Sequence, residues 1–273
     1  PLVMDATRVV ENAQFVIEQE PEHAGKSVWA VVREILSCAD AVIGSLTKDF
    51  CVDKGGIVAT NDGRLYQRLQ ELADEEGAGI DLIDRKLIAL SLENRKQIET
   101  KVLRRMESVR LIARTLSEHG IPVVQPAGGH CVLIDVKQLP EFKDLPEPVA
   151  SFLGWLYVRT GIRAGAHSAG MQKRTAINDL VRLAIPVGLK REEIDVLIGR
   201  IVQAFARMGS IPEVVMESGA PQRLDGVHAN YRLANDHRAE AAVPADVVSV
   251  EEELPRVAPD RPRRTQDIAI VGM

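Results

Sequence analysis

Apolar and polar positions change period several times along this chain, and each change predicts an element. A short apolar run over residues 1–4 ends in polar residues at Asp5 and Arg8, the pattern of a buried parallel strand that delivers chemistry at its C-terminal edge. Residues 26–40, KSVWAVVREILSCAD, set Val28, Val31, Val32, Ile35 and Leu36 on one helical stripe. A second apolar run at 41–44 follows at once. Strand, helix and strand make a βαβ unit, which implies a parallel sheet covered by helices. A third strand is predicted at 57–60, after which Asn61, Asp62 and Gly63 turn the chain into a helical region reaching residue 119. Within it, residues 85–119 lack glycine and proline and read as one long helix stopped by Gly120.

A smaller α+β unit is predicted next, with strands at 121–124, 131–136, around 161–163 and at 180–186, and helices at 149–160 and 191–208. From 212 to 266 the periodicity fades into runs such as EEELPRVAPDRPRR, the composition of a semi-extended linker. The last seven residues, DIAIVGM, turn apolar again and read as the start of a further domain. The predicted units are therefore 1–119, 120–211, 212–266 and 267–273. The chain opens on Pro1 in an apolar run without an initiator methionine, and reads as a fragment whose N-terminal part lies elsewhere.

With 273 residues and 45% hydrophobic content, the chain can bury a substantial core. Thirty-four basic against thirty-nine acidic residues, without a basic cluster, argue against a nucleic-acid partner. Three cysteines, Cys38, Cys51 and Cys131, fit a reducing cytoplasm better than a disulfide framework, and they lack zinc-type spacing. No apolar run approaches the roughly 20 residues that span a bilayer, so a cytoplasmic protein without membrane contact is expected.

The chemistry concentrates in SLTKDFCVDKGG, residues 45–56, between two apolar runs. Lys48 is either a solvated turn residue or an amine aimed at a crevice, and Asp5 either caps the next turn or faces that crevice. A carboxylate and an amine at one sheet edge suit pyridoxal phosphate: the amine joins the cofactor covalently and the carboxylate keeps its pyridine nitrogen protonated. Ser45 and Thr47 would then supply hydroxyls for the phosphate.

MDATRVVENAQFVIEQE, then GSLTKDFCVDKGG, PVVQPAGGHCVLIDV, YVRTGIRAGAHSAG and DLVRLAIP occur in the order seen in the tryptophanase and tyrosine phenol-lyase family of β-eliminating lyases, which this chain resembles over residues 1–207. The resemblance implies a fold-type-I pyridoxal-phosphate-dependent α/β architecture, comprising part of a large, mostly parallel sheet domain and a small α+β C-terminal domain. It implies that Asp5 pairs with the pyridine nitrogen, Arg8 lies near the phenolic oxygen, Ser45 binds phosphate and Lys48 is the Schiff-base lysine and candidate base. Arg182 is matched to the arginine that holds the substrate α-carboxylate, a task suited to its bidentate fork. The implied reaction is β-elimination through an aminoacrylate to pyruvate and ammonia, in a homo-oligomer.

Three departures modify that expectation. Thr47 replaces a family lysine, and Asp53 replaces an asparagine near where the family binds a monovalent cation, leaving potassium dependence open. RAGAHSAG replaces the loop with which tyrosine-cleaving members contact an aromatic leaving group, and it brings His167 into that position. With aromatic content at only 4% and ELADEEGAGIDLIDRK shortened relative to the family's aromatic-pocket segment, a smaller leaving group such as a thiolate is expected; His167 either holds or protonates it or is an exposed loop histidine without a role. His130, Trp29, Trp155, Cys51 and Cys131 are read as structural. DIAIVGM resembles the opening of a polyketide β-ketoacyl synthase domain, so the chain is expected to act as a cysteine lyase-like domain of a modular synthase. Its substrate would then be an amino acid or a carrier-bound cysteine adduct, and its partners the synthase's other domains. Ordinary tryptophanase or tyrosine phenol-lyase activity and a silent scaffold are the alternatives.

Overall fold

The computed structural model describes residues 1–75, 79–167 and 180–211, together with the backbone of strands Val214–Met216, Tyr231–Leu233 and Ile268–Gly272. β1 (Val3–Asp5) leads through α1 (Val9–Gln19) and α2 (Val28–Ser37) to β2 (Ala41–Ser45), which pairs with β1 in parallel as the βαβ pattern predicts. Ser27 starts α2 by accepting a hydrogen bond on Oγ from the Ala30 amide at 3.3 Å. β3 (Gly56–Thr60) returns antiparallel to β2. Ile268–Gly272, the apolar tail, lies parallel along β3 as the edge strand of this sheet. Val3 and Ile43, expected to be buried, are 53% and 42% exposed, whereas Ala41 on the same face is buried.

After α3 (Gly63–Glu75), the predicted long helix is interrupted. It divides at Asn94 into α4 (Leu82–Glu93) and α5 (Arg95–Glu118). Asn94 leaves helical geometry, with ψ at 54°, and its amide closes α4 on the carbonyls of Leu90 and Ser91. Asn94 Nδ2 meanwhile donates to Gln97 Oε1 at 3.0 Å, a local bond that competes with helix propagation. At the other end, α5 stops where predicted. Gly120 adopts φ +76°, its amide donates to Ser117, and the Ile121 amide donates to Leu116, the paired bonds of a Schellman motif.

α5 joins two cores. Ile98, Val102 and Met106 pack against Val9, Val10 and Ala13 of α1 and Val28, Val31 and Val32 of α2. Val109, Ile112 and Leu116 enter a second core with β4 (Cys131–Asp135), α6 (Pro148–Thr160), β6 (Leu180–Ala184) and α7 (Arg191–Ala206). Its centre is aromatic: Phe142, Phe152 and Trp155 stack within 5.2–5.6 Å between centroids. Trp155 Nε1 donates to the Met208 carbonyl at 2.9 Å, so the indole is buried without losing its polar partner. Each such side chain contributes about 1.5–3 kcal/mol through burial.

β4, β6 and β5 (Gly165–Ala166) form a three-stranded antiparallel sheet in the order β4-β6-β5. The strand expected at 121–124 shrinks to a bridge between Val123 and Ile134, since Pro122 has no amide to donate. The strand expected around 161–163 begins later, because Gly161 caps α6 with φ +71°. Within the predicted linker, β7 (Val214–Met216) and β8 (Tyr231–Leu233) pair antiparallel. Among the described residues, no helix is long and apolar enough to cross a membrane.

Candidate active site

β1 and β2 carry residues 5–8 and 45–49 to the same end of the sheet. Asp5 lies opposite Ile43, the Ala6 amide donates to the Ile43 carbonyl at 2.7 Å, and the Ser45 amide donates to Thr7 Oγ1 at 2.9 Å. This contact requires Gly44, since a Cβ there would stand 3.1 Å from the Thr7 nitrogen and 3.2 Å from the Ala6 carbonyl carbon. The Ser45 and Thr47 hydroxyls are 2.9 Å apart. Leu46, only 1% exposed, anchors the turn in the core, and the Lys48 ammonium is exposed on it with no polar partner among the described residues. Asp5 is also exposed and accepts from the Thr7 amide at 2.9 Å through Oδ1, so it caps the turn while standing at the sheet edge.

Behind these groups lies a buried ionic cluster. Asp49 is fully buried, Glu11 is 3% exposed and Arg105 is 4% exposed. Arg105 Nη2 donates to Glu11 Oε2 at 2.5 Å and to Asp49 Oδ1 at 2.7 Å, and Asp49 Oδ2 accepts from the Glu11 amide at 3.1 Å. Arg8 Nη1 stands 3.7 Å from Glu11 Oε2 and 3.8 Å from Asp49 Oδ1, attracted by both but hydrogen-bonded to neither. That nitrogen is buried and has no hydrogen-bond partner among the described residues. Burial pushes the Asp49 carboxyl above its usual range, the Arg105 hydrogen bond pulling against it, and burial likewise lowers the Arg8 guanidinium. Removing Arg105 alone would strand two buried carboxylates, at a cost of about 3–5 kcal/mol.

The second unit reaches the same place through the loop at 125–130. His130 Nδ1 bonds Glu11 Oε1 at 2.8 Å. This is the structural role expected of His130, although its partner is a carboxylate and not a backbone carbonyl. Gly129, at φ +68°, sits over Glu11, and a Cβ on Gly128 would lie 2.4 Å from Phe15 Cε2. From this anchor β4 pairs with β6. Val181 and Leu183 face the core, so by strand alternation Leu180, Arg182 and Ala184 face the other way. Arg182 stands between Leu133 and Gly165, and among the described residues no atom lies within 4 Å of where a Gly165 Cβ would stand. His167, whose amide donates to the Leu180 carbonyl at 2.9 Å, lies on that face diagonal to Arg182. Both its ring nitrogens are buried without a partner among the described residues.

Cys131 shares that face. Burial pushes its thiol up, Arg182 lowers it, Glu11 raises it and Arg8 lowers it.

The predicted residues thus fall into two groups: Asp5, Arg8, Ser45 and Lys48 at one sheet edge, and Arg182 and His167 on the open face of the second sheet. Asp53 is exposed beyond the turn, beside a cleft of about 430 Å³ lined by Leu87, Ser91 and Lys101. Cys51, expected to be buried, is exposed and takes φ 56°. Trp155 is core, as expected, while Trp29 is half-buried beneath the Arg95 guanidinium. Glu11, Asp49 and Arg105 were not anticipated. Arg105 carried a signal nonetheless, falling beside Met106 inside the apolar stripe Ile98, Val102, Met106 and Val109, where a solvated charge does not belong.

Residues 1–261 match the β-eliminating lyase family. The chain is 37% identical over 198 residues to a probable tryptophanase from Aeropyrum pernix, which covers 68% of this chain and 42% of that protein. A tryptophanase from Salinibacter ruber is 37% identical over 198 residues, with the same two shares of 68% and 42%. A tyrosine phenol-lyase from Nostoc punctiforme is 34% identical over 199 residues, again covering 68% and 42%. The chain thus spans 42% of the length of these curated relatives.

Proposed function

The chain belongs to the β-eliminating lyase family, and on that premise we propose that it forms the lysine-bearing part of a lyase that releases a sulfur leaving group from a cysteine-type substrate. The family's tryptophanases and tyrosine phenol-lyases depend on pyridoxal phosphate. The residues at the sheet edge fit that cofactor. Arg8 Nη1 is a buried donor without a hydrogen-bond partner among the described residues, the Ser45 and Thr47 hydroxyls adjoin each other, and Lys48 is an amine without a partner there. Lys48 would hold the cofactor through Nζ, Asp5 its ring nitrogen, Arg8 its phenolic oxygen, and Ser45 with Thr47 its phosphate. Convergence of these groups on one sheet edge is the observation that carries the reading.

The bound cofactor supplies a ring that withdraws electrons and so acidifies the substrate's Cα–H bond. The chain's own residues do the rest. Arg182 grips the α-carboxylate through its planar fork and fixes the amino acid's orientation. Lys48 Nζ, freed once the substrate's amino group has taken its place, accepts the α-proton. His167, diagonal to Arg182 with ring nitrogens unspent, donates a proton to the sulfur as the Cβ–S bond breaks. The Cα–H and Cβ–S bonds break, the thiol leaves, and water completes conversion of the remainder to pyruvate and ammonia.

The sulfur leaving group is supported by where the aromatic residues lie. Phe142, Phe152, Trp155 and Phe205 form an internal cluster on the core side of the second sheet, on the other face from Arg182. Carbon–carbon cleavage of tryptophan or tyrosine is the second reading, favoured by the names of the similar proteins. A modular synthase as the setting rests on the tail motif DIAIVGM alone.

The test is to load the complete protein with pyridoxal phosphate and offer S-substituted cysteine, tryptophan and tyrosine separately. Pyruvate and thiol from the cysteine substrate, with at least tenfold lower turnover of the aromatic ones and none in Lys48→Ala, is the expected result. Indole or phenol as the preferred product would overturn the sulfur assignment, and a cofactor spectrum indifferent to Lys48→Ala would overturn the site.

A further inference from the structure

The buried ionic cluster is larger than the site itself demands, and its connections are specific. Asp49 follows Lys48 directly, and Glu11 lies three residues after Arg8, on the first turn of α1. One nitrogen, Arg105 Nη2, bonds both carboxylates, reaching them from the middle of α5 across sequence separations of 56 and 94 residues. The other oxygen of Glu11 then carries His130, from the unit that presents Arg182. A single guanidinium therefore ties together the carboxylate beside the lysine, the carboxylate beside Arg8 and the anchor of the second sheet.

We infer that Arg105 is a positioning residue of this site: through Asp49 it fixes the turn bearing Lys48, and through Glu11 it fixes Arg8 and the docking of the β4–β6 sheet. The inference rests on the roles given above to Lys48, Arg8 and Arg182. Arg8 shows why such a device is needed. Its Nη1 lies beyond hydrogen-bond distance of both carboxylates, so its place depends on their staying where Arg105 holds them. If either carboxylate swung toward Arg8, it would take up the donor that the site needs free. The Lys48 turn has a similar dependence. Its tip bears a positive-φ residue, Cys51; the Leu46 amide donates to Gly55 at 3.0 Å and Ser91 Oγ donates to the Phe50 carbonyl at 2.5 Å, while the buried Asp49 side chain, accepting from Arg105 at 2.7 Å, is the tether directly beside Lys48.

The geometry also names the substitute that works. Both bonds leave one nitrogen, so an ammonium at that point serves both carboxylates, whereas an apolar side chain serves neither. The experiment compares wild type, Arg105→Lys and Arg105→Met in the complete, cofactor-loaded protein. It reads thermal melting, the circular dichroism induced in the cofactor's visible band, and kcat against KM. Arg105→Met is expected to lose most of the induced dichroism and about tenfold or more in kcat, since small displacements of reacting groups cost that much. Arg105→Lys is expected to recover most of both. Where Arg105→Met does not fold, Asp49→Asn gives the same reading, because its amide must either turn a donor toward the Glu11 amide or surrender the Arg105 bond. A folded Arg105→Met or Asp49→Asn with wild-type dichroism and kcat would overturn the inference. Wild type without a cofactor band would overturn the functional reading instead, so the two failures are distinguishable.

Discussion

Arg182 illustrates how much of this site depends on one side chain's geometry. It stands on the face of its sheet opposite the core, flanked by Leu133 and by Gly165, whose missing side chain leaves that flank clear among the described residues. A guanidinium grips a carboxylate with two parallel bonds, and an ammonium cannot reproduce that fork. Arg182→Lys should therefore raise KM for the amino acid by about 10–100-fold while kcat falls less, because the lost interaction is shared by ground and transition states. Steady-state kinetics on the cofactor-loaded protein check this. Equal losses in kcat and kcat/KM, with KM unchanged, would show instead that Arg182 acts on the reacting bonds.

At the scale of elements, helix ends set where the functional segments begin. Gly120 has open space around its missing Cβ, so Gly120→Ala introduces no clash and isolates the cost of φ +76° for an L side chain. That cost is about 1–2 kcal/mol, read as a lower urea midpoint with unchanged slope. α4 offers a pH test. Its N-cap Asp81 accepts from the Asp84 amide at 2.9 Å, and that bond holds the carboxyl below the usual range. A carboxyl whose folded pKa is depressed contributes stability that is complete above its unfolded pKa and is lost as pH falls through the folded one. Asp81→Asn keeps an acceptor that does not titrate. Its urea midpoint should therefore fall less than that of wild type over the acid range, and parallel curves would contradict the assignment.

The same elements show what the sequence made legible. α2, α6 and α7 follow from their apolar stripes and caps, and the β1–α–β2 unit from its alternating runs. α1 has Val9, Val10, Ala13 and Val16 at helical spacing, but Arg8 at its N-cap makes no side-chain capping bond to announce its start. The break at Asn94 escaped because pattern alone cannot weigh one side-chain bond against helix propagation. Asp5, Arg8, Ser45 and Lys48 were named through the family resemblance, because strand-end position alone leaves Asp5 a turn cap and Lys48 a solvated turn residue as ready alternatives. Glu11, Asp49 and Arg105 were not, because pairing across 56 and 94 residues leaves no local trace beyond a charge inside an apolar stripe.

Across the whole molecule, the site requires the second sheet to be held against α1. The loop at 125–130 achieves this with glycines in direct contact: Gly128 against the Phe15 ring and Gly129 over Glu11. Gly128→Val would force that loop off α1, and with it β4 and the Arg182 beside it. KM should rise about tenfold, while Tm falls by only a few degrees. An unchanged KM would mean that Arg182 does not depend on this contact. The measurement that tests the central claim most directly is borohydride reduction of the pyridoxal-phosphate-loaded protein, followed by peptide mass mapping. A phosphopyridoxyl group on the peptide containing Lys48 is the predicted result. The group on another lysine, such as Lys54 or Lys101, or on none, would contradict the account.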